Sequence, residues 1–296
     1  MPELPEVQTT GDSLKPLLNQ TIEQVQVFQP KLRWQIPQDI TQLVGYALTA
    51  IERRAKYLIL TFNKGNVEKK LLIHLGMSGS LQQHDIGFDK RKHDHLIIDF
   101  SNGKQLHYHD PRRFGMVLWL ADYYDKLIKN LGIEPLDNGF TGQYLYDLIQ
   151  HTPQKSLEKK VLGKKTKPIS RPIKAVIMEQ SVVVGVGNIY ATESLFLAGI
   201  HPLTPADTLT LNQLTTLVKF IKQVLEISIE KGGSSLKDFT VGNGKTGYFQ
   251  QTLRVYGRGG EPCPQCGTMI ENVKIAQRAS TFCPQCQPLV NDNNQK

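Results

Sequence analysis

Four cysteines near the C-terminus are spaced like the ligands of a metal ion. Cys263 and Cys266 form one CxxC pair, Cys283 and Cys286 form another, and sixteen residues separate the two pairs. Each pair offers two thiolates on one side of a tight turn, and two such turns complete a tetrahedron around one Zn²⁺ ion. Because no histidine and no fifth cysteine joins them, the zinc would be structural rather than catalytic. The alternatives are two disulfides, which are disfavoured in a chain that has no secretion signal, or thiols that happen to be paired.

The first residues, "MPELPEV", crowd two prolines and two carboxylates into six positions. Chain ends are usually poorly ordered, so a frayed terminus is the plain interpretation of this stretch. The two carboxylates, Glu3 and Glu6, also stand beside Pro2, the residue that follows the initiator Met1. A stretch this short does not decide between a tail and a functional segment, and the rest of the chain must do so.

The composition is that of a globular protein with an excess of positive charge. The chain has 296 residues, enough for two domains with separate cores, and 40% of them are hydrophobic while 21% are charged. A formal net charge of +8 favours polyanions such as nucleic acid or an anionic membrane surface. Because no apolar run approaches the length of a membrane span and the N-terminus lacks a signal pattern, we expect a cytosolic protein.

The first half of the chain predicts one helix followed by a β-rich region. Residues 5–20 begin like a helix, with Pro5 in the first turn, although Gly11 and Pro16 weaken its second half. From 21 to 120, short strand-like runs are separated by turn signals, of which "NKGN" and "SNGK" are the clearest hairpin candidates. The runs are "TIEQVQVF", "YALTAIERR", "KYLILTF", "KKLLIHL", "HLIIDF", "KQLHYHD" and "GMVLWLAD". This density of strands predicts a sandwich or a barrel.

The second half changes to a helical pattern. The predicted helices cover 141–150, 171–180, 188–199 and 208–233. The last is long and amphipathic, and Gly232 and Gly233 end it. Residues 155–174 carry eight basic residues and one Glu, which suits either a solvated linker or a DNA contact. The stretch "GVGNIYATES" fits either a helix N-terminus that binds an anion or an ordinary connection between helices.

Several motifs follow one another along the chain in the order found in one protein family, which they resemble closely. They are "MPELPEV", "RRAKYL", "HLGMSGSL", "KHDH", "DPRRFG", "VVGVGNIYA", "GGSSLKDF" and the paired CxxC. The chain resembles, over nearly its whole length, the formamidopyrimidine-DNA glycosylases, which are bacterial 8-oxoguanine glycosylases and AP lyases. The resemblance implies an α+β multidomain fold: a β-sandwich with a flanking helix (1–134), a helix-two-turn-helix domain (135–250) and a four-Cys zinc-finger β-hairpin (251–288). It also implies that DNA lies in the cleft between the domains.

The resemblance gives "MPELPEV" a chemical role. If Met1 is removed, Pro2 presents a secondary α-amine, and α-amino groups titrate near pH 7.7–8.0 in model peptides. Such an amine is partly unprotonated at neutral pH and can attack the deoxyribose C1′ to give a Schiff base. In the family this proline is the nucleophile, the glutamate that follows it, here Glu3, is the general acid, and Glu6 is a supporting carboxylate. Stabilising the helix N-terminus is the alternative role for Glu6.

Two basic residues would complete the catalytic set. By resemblance, Lys56 contacts phosphate at the lesion and donates a proton during β-elimination, although an exposed lysine at a sheet edge is the common case. Arg278 lies between the two CxxC pairs, at the tip of the predicted zinc hairpin. The resemblance implies that it grips the lesion phosphate and takes part in δ-elimination, whereas its plain interpretation is one more surface arginine.

The remaining family positions would bind DNA. An enzyme that extrudes a base must fill the hole, and Met77, Arg112 and Phe114 match the family's void-filling residues, with Arg112 bonded to the orphaned cytosine. Ordinary core packing is the alternative for Met77 and Phe114. His74 and His93 would lie near the DNA backbone, and Asn188 would bind phosphate. An insertion in the basic linker leaves open which lysine contacts DNA; the candidates are Lys164, Lys165 and Lys174, of which we favour Lys165 and Lys174. The glycine-rich residues 238–249 suit a loop that closes over the flipped base.

Two other functions compete with this interpretation. One is an endonuclease VIII-like glycosylase for oxidised pyrimidines, which the "PELPEV" start, Met77 and the "DPRRFG" loop disfavour. The other is a zinc-finger protein that binds damage without catalysis, which intact Pro2, Glu3, Lys56 and Arg278 argue against. We therefore expect a zinc-containing monomer that acts on double-stranded DNA with oxidised purines or abasic sites, away from membranes.

Overall fold

The computed structural model describes residues 2–150, 167–233 and 253–289. The chain divides into two compact units, Met1–Asn130 with Ile227–Gln251 and Leu131–Glu226 with Thr252–Lys296. Lys165 and the predicted closing loop 238–249 lie outside the described residues. Among the helices that are described, none is long and apolar enough to cross a membrane. The domain boundaries given above stay predictions.

The first unit is built on two four-stranded antiparallel sheets. The strands are β1 Ile22–Val27, β2 Ala47–Arg54, β3 Tyr57–Lys64, β4 Val67–His74, β5 Ser80–Asp85, β6 Asp94–Phe100, β7 Lys104–His109 and β8 Met116–Trp119. One sheet has the order β1-β6-β7-β5 and the other the order β2-β3-β4-β8. All seven predicted runs contain a strand, and "NKGN" and "SNGK" contain the turns of the β3–β4 and β6–β7 hairpins. The predicted β-sandwich is confirmed.

A single core lies between these sheets and the first helix. Alternate residues of both sheets are buried in it, as the two-residue period of a strand requires. Helix α1, Leu4–Ser13, lies against β2 and β3. Gly11 permits this packing, because a Cβ there would stand 3.0 Å from Leu58 Cδ2. The helix is shorter than the predicted 5–20, since the chain turns into a short 3₁₀ segment at Lys15–Leu17, around Pro16.

Two elements of the first unit differ from the sequence prediction. Strand β5 was not predicted, because "SLQQHD" is polar and has no β-branched residue. The run "GMVLWLAD" was predicted as one strand, but β8 ends at Trp119 and helix α2 begins at Leu120. Helix α2, Leu120–Leu127, has no buried residue. Because it is short and directly follows a strand, its sequence did not distinguish it from that strand.

The second unit contains helices and a two-stranded hairpin. Its elements are α3 Gly142–Ile149, α4 Ile173–Ile177, α5 Asn188–Leu197, α6 Leu211–Glu230, β9 Glu271–Ile275 and β10 Arg278–Phe282; residues 227–230 of α6 group with the first unit. Helix α5 has side chains buried around nearly its whole circumference, from Ile189 to Phe196, and most of them are apolar or small. Each predicted helix corresponds to an observed one, although α4 is only five residues long. A helical region followed by a zinc hairpin is thus confirmed.

Candidate active site and zinc centre

The N-terminal segment is a folded part of the first unit. Pro2, Glu3 and Glu6 are buried, with only 4% of Glu3 exposed. Glu3 is the N-cap residue of α1, and its backbone N–H donates to Glu6 Oε2 at 2.8 Å, the return half of a capping box. Pro5 lies in the first turn, where its missing N–H costs nothing. The segment therefore fixes Pro2 and two carboxylates at the start of a helix, which a frayed end would not do.

The residues that follow α6 lie against Glu6. Gly233 has φ +85°, and a Cβ at this position would stand 3.3 Å from Glu6 Cγ and 3.4 Å from Glu6 Oε1. A glycine is therefore required here both by the left-handed backbone and by the close approach.

Lys56 lies in the turn of the β2–β3 hairpin. Arg54 pairs with Tyr57, so the turn has two residues, and Ala55 adopts a left-handed φ of 55°. Arg53 supports the turn through its Nη1, which donates to the Ala55 carbonyl at 3.0 Å. Lys56 itself is buried, with 8% of its surface exposed. A lysine fixed in a turn and shielded from water differs from the exposed sheet-edge lysine that is the common case.

His74 is a neutral ring beside this turn. It ends β4 directly opposite Tyr57, and the two ring centres are 5.0 Å apart. Burial, and then the positive charges of Lys56 and Arg33, lower the pKa of His74 to about 4. Its Nδ1 accepts the Gly76 N–H at 3.0 Å, so the proton of the neutral ring is on Nε2. His74 can thus donate a hydrogen bond to phosphate without carrying a charge.

The predicted void-filling side chains stand on two loops that touch. Met77 is 38% exposed and Phe114 is 45% exposed, so neither is a core residue. The guanidinium carbon of Arg112 lies 5.0 Å from the centre of the Phe114 ring. Gly76 (φ +66°) brings the loops together, since a Cβ there would stand 2.5 Å from the Gly115 nitrogen and 2.6 Å from the Phe114 carbonyl carbon. The exposed side chains of Met77, Arg112 and Phe114 therefore stand on two loops whose backbones are in close contact.

Asp110 holds the second of these loops and was not predicted from the sequence. It is fully buried, and its carboxylate accepts the Gly115 N–H at 2.8 Å and the Arg112 N–H at 3.3 Å. Its own N–H donates to the His93 carbonyl at 3.0 Å. The buried carboxylate thus fixes the backbone that carries Arg112 and ties it to His93. Its place before Pro-Arg-Arg is the only signal that the sequence offered.

In the second unit, Lys174 and Asn188 belong to one polar cluster. Lys174 is buried, and its Nζ donates to Asn188 Oδ1 and to Ser280 Oγ, both at 2.7 Å. Asn188 is the first residue of α5, and its Nδ2 donates to the Ala279 carbonyl at 3.0 Å. Lys174 therefore lies behind Asn188 as a supporting cation rather than as an exposed one. The role of both in DNA binding stays a prediction.

Arg278 is exposed at the predicted position, the tip of the hairpin. It begins β10 and pairs with Ile275, and the turn residues Ala276 and Gln277 both have positive φ. Glu193 anchors the chain that leads into this hairpin: its buried carboxylate accepts the backbone N–H groups of residues 254–256 at 2.8–3.0 Å. A carboxylate within the mostly apolar sequence of α5 was a signal that Glu193 has a buried partner, but this role was not predicted from the sequence.

The four cysteines converge as their spacing predicts. All four are free thiols, and their Sγ atoms lie within 4.8 Å of one another. Two knuckle contacts support the pairs, the Gln265 N–H to Cys263 Sγ and the Cys286 N–H to Cys283 Sγ, both 3.4 Å. Four soft sulfur donors in a closed set fit a tetrahedral zinc ion and leave no position for substrate. The cysteines hold one structural zinc, because all four are free thiols gathered in one cluster within the segment that matches a zinc-finger family model.

Family models match the chain in three consecutive segments. They describe the formamidopyrimidine-DNA glycosylase N-terminal domain over residues 1–117 and the H2TH domain of the same proteins over 131–240. The third describes the zinc finger found in FPG and IleRS and covers residues 260–289, which include all four cysteines.

Full-length relatives agree with these segments. The formamidopyrimidine-DNA glycosylase of Psychrobacter arcticus is 56% identical over 98% of this chain and 99% of its own. That of Acinetobacter baylyi is 51% identical over the same shares. Lactococcus lactis Fpg in complex with abasic-site DNA superposes with a TM-score of 0.82 at 32% identity, over 97% of this chain and 99% of that one. MutM of Thermus thermophilus superposes with a TM-score of 0.80 at 33% identity, over 98% and 100%.

Proposed function

The chain belongs to the formamidopyrimidine-DNA glycosylase family, and we propose that it excises oxidised purines, 8-oxoguanine and formamidopyrimidines, from duplex DNA. It is a DNA glycosylase of base excision repair, and AP lyase activity is general for its family. The choice of lesion is supported by the Lactococcus lactis relative, which has been solved with DNA that contains Fapy-dG.

The proposed nucleophile is the α-amine that Pro2 presents once Met1 is removed. Part of this amine is unprotonated at neutral pH, because α-amino groups titrate near pH 7.7–8.0 in model peptides. The nitrogen attacks C1′ of the damaged nucleotide, and the bond from C1′ to the base breaks. The sugar ring then opens as O4′ takes up a proton, which leaves a covalent iminium between Pro2 and C1′.

Glu3 is the proposed source of that proton. Its carboxyl is buried in the residue next to Pro2, and a general acid must lie within hydrogen-bond reach of the atom that it protonates. Glu6 orients the segment through its bond to the Glu3 N–H. The burial of Pro2, Glu3 and Glu6 together at the start of α1 is the single observation that carries the proposed chemistry.

Strand cleavage follows from the iminium. The iminium acidifies C2′, and loss of a C2′ proton breaks the C3′–O bond in β-elimination, with Lys56 proposed to supply the proton that the departing phosphate oxygen requires. Loss of a C4′ proton from the conjugated iminium then breaks the C5′–O bond in δ-elimination, for which Arg278 is proposed to hold the departing phosphate. Water hydrolyses the iminium and returns the amine of Pro2. The neutral Nε2–H of His74 and the amide of Asn188 are proposed to hold neighbouring phosphates.

The exposed trio is proposed to replace the extruded base. Met77 and Phe114 offer apolar surface to the unstacked step, and Arg112 offers guanidinium donors to the cytosine left without a partner. Because Asp110 and Gly76 fix the two loops, the trio meets DNA without first having to be ordered.

Excision from three matched duplexes tests the proposal. The duplexes carry 8-oxoguanine opposite cytosine, thymine glycol opposite adenine, or no lesion, and both base release and strand nicking are followed. We expect the 8-oxoguanine duplex to be processed fastest, with 5′- and 3′-phosphate ends. Preference for thymine glycol would instead support an endonuclease VIII-like enzyme, and tight binding without release would support a non-catalytic damage-binding protein. The thymine glycol arm has a specific motive, since a Lactococcus lactis relative has been solved with oxidised-pyrimidine DNA.

We also propose that the protein acts as a monomer in the bacterial cytoplasm, on nucleoid DNA. The support is that its full-length relatives are bacterial. Sedimentation of the free protein and of its DNA complex would check the stoichiometry, and a two-to-one complex would contradict a monomer.

A further inference from the structure

Exposed aromatic and basic side chains meet at one end of the sheet β1-β6-β7-β5, outside the chemistry described above. Phe28, which follows β1, is 44% exposed, and Lys90 Nζ lies 4.9 Å from the centre of its ring. Lys92, two residues further along, is also exposed. We call Phe28, Lys90 and Lys92 the end patch. Phe28 and Lys90 form an exposed cation–π pair, which presents an apolar face beside positive charge.

The end patch owes its position to an unusual connection. Residues 86–93 join β5 to β6, which are separated in the sheet by β7. Asp85 pairs with Lys104 and Asp94 pairs with His109, so the connection travels back along the length of β7. Phe88 holds it down by stacking on His84, with 3.8 Å between ring centres. The connection thus delivers Lys90 and Lys92 to the end of the sheet where β7 finishes.

A buried carboxylate fixes the last part of this connection. Asp94 accepts hydrogen bonds from His107 Nδ1 at 3.0 Å, from His109 Nδ1 at 2.8 Å and from the backbone and guanidinium of Arg91 at 2.8–3.1 Å. The Arg91 guanidinium is therefore occupied by its hydrogen bonds to Asp94. Its neighbours Lys90 and Lys92 are the exposed cations, carried on a backbone that is already ordered.

The same end of the sheet carries the proposed DNA-contacting loop. The Phe28 N–H donates to the His95 carbonyl at 2.9 Å, and the His93 carbonyl accepts the Asp110 N–H at 3.0 Å. Asp110 in turn holds the backbone of Arg112. The end patch is therefore continuous, through the start of β6, with the loop proposed to enter the DNA.

We propose that the end patch binds the sugar–phosphate backbone of the duplex that flanks the lesion. Lys90 and Lys92 supply charge to two phosphates, and the Phe28 ring packs against deoxyribose. The inference rests on the proposed function, because it takes DNA as the ligand of the adjoining loop. It enlarges the DNA contact beyond the residues that act at the damaged nucleotide.

The test uses a duplex with a tetrahydrofuran abasic analogue, which the enzyme can bind but not cleave. Affinity is measured against salt for the wild type, for Lys90→Ala/Lys92→Ala and for the control Lys15→Ala/Lys129→Ala. The control removes the same charge from two exposed lysines that are each paired with a nearby aspartate. We expect the slope of log affinity against log salt to fall by about 2 in the end-patch variant, since each phosphate contact contributes about 0.9. The control should keep the wild-type slope.

Phe28 is tested separately, because an apolar contact releases no ions. Phe28→Ala should weaken binding several-fold with the wild-type slope, and Phe28→Leu should recover most of the loss. Excision at saturating enzyme and the unfolding midpoint should stay at wild-type values in every variant. A slope in Lys90→Ala/Lys92→Ala equal to that of the control, with wild-type binding intact, overturns the end patch alone. A wild type that does not bind the analogue duplex overturns the proposed function as well.

Discussion

The neutral state of His74 follows from the contacts that hold its ring in place. Burial removes the solvation of an imidazolium, and Lys56 and Arg33 add repulsion, so its pKa falls to about 4. His84 has a similarly lowered pKa, about 4, caused first by burial and then by His107 and Arg91. At neutral pH both rings are uncharged, and the site can place a donor at phosphate without adding charge next to Lys56.

Acid should therefore destabilise the protein through these two rings. The folded pKa is about 4 and the unfolded value about 6.5, so between these values the unfolded chain binds more protons and stability falls as the pH is lowered. His74→Gln and His84→Gln should each flatten the dependence of the free energy of unfolding on pH between 6.5 and 4. Denaturant titrations at pH 7 and pH 5 measure this. An unchanged pH dependence in both variants would contradict the lowered pKa values.

Arg112 should set the choice of base opposite the lesion. Arg112→Ala should reduce discrimination for cytosine by about 1–3 kcal/mol, roughly 5- to 150-fold in relative rate, because the guanidinium donors offered to the cytosine are lost. The neighbouring Arg113→Ala is the matched control, since Arg113 is also exposed and carries the same charge. Excision is compared with each of the four bases opposite 8-oxoguanine. A profile that Arg112→Ala leaves unaltered would count against Arg112 as the reader of that base.

At the scale of elements, the contact between two loops governs how the exposed trio is presented. A side chain at Gly76 would meet the backbone of Phe114 and Gly115. Gly65, in the β3–β4 turn, also has a left-handed backbone, with φ +57°, but nothing lies within 4 Å of a Cβ there. A comparison of substitutions at Gly76 and Gly65 therefore distinguishes the effect of a left-handed backbone from the effect of the contact between the two loops.

Gly76→Ala should lower excision by at least tenfold, while Gly65→Ala should leave it unchanged. Both variants pay about 1–2 kcal/mol in stability for a left-handed alanine, and only Gly76→Ala also displaces the Arg112 loop. Single-turnover excision and thermal unfolding, measured on both, distinguish the two effects. Equal activity in the two variants would show that the loop contact is irrelevant to catalysis.

The zinc hairpin is the second element whose loss is predictable. Its apolar cluster is small, with Cys263 and Cys283 themselves among the buried members. Such an element depends on the metal for its fold. Chelation should therefore abolish binding to an abasic-site duplex and change the hairpin's contribution to circular dichroism, and restored zinc should recover both. Unchanged affinity after the metal has been removed would contradict this dependence.

At the scale of the whole molecule, local sequence patterns predicted most of the helices and strands. They did not predict the side-chain contacts that the folded chain makes between these elements. Short strand-like runs, several of them separated by turn signals, predicted seven strands, whereas the polar β5 gave no such signal. The cysteines were predicted from spacing alone, because both pairs are local motifs. Asp110, Arg33 and Glu193 were not, since their roles depend on partners that only the folded chain brings close.

The central claim is that Pro2 is the nucleophile, and borohydride trapping tests it most directly. The enzyme is incubated with an 8-oxoguanine:cytosine duplex and borohydride, and the cross-linked peptide is mapped by mass spectrometry. We predict one adduct, on an N-terminal peptide that begins at Pro2 and lacks Met1. An adduct on a lysine, or tight binding of the same duplex without any adduct, would contradict that claim.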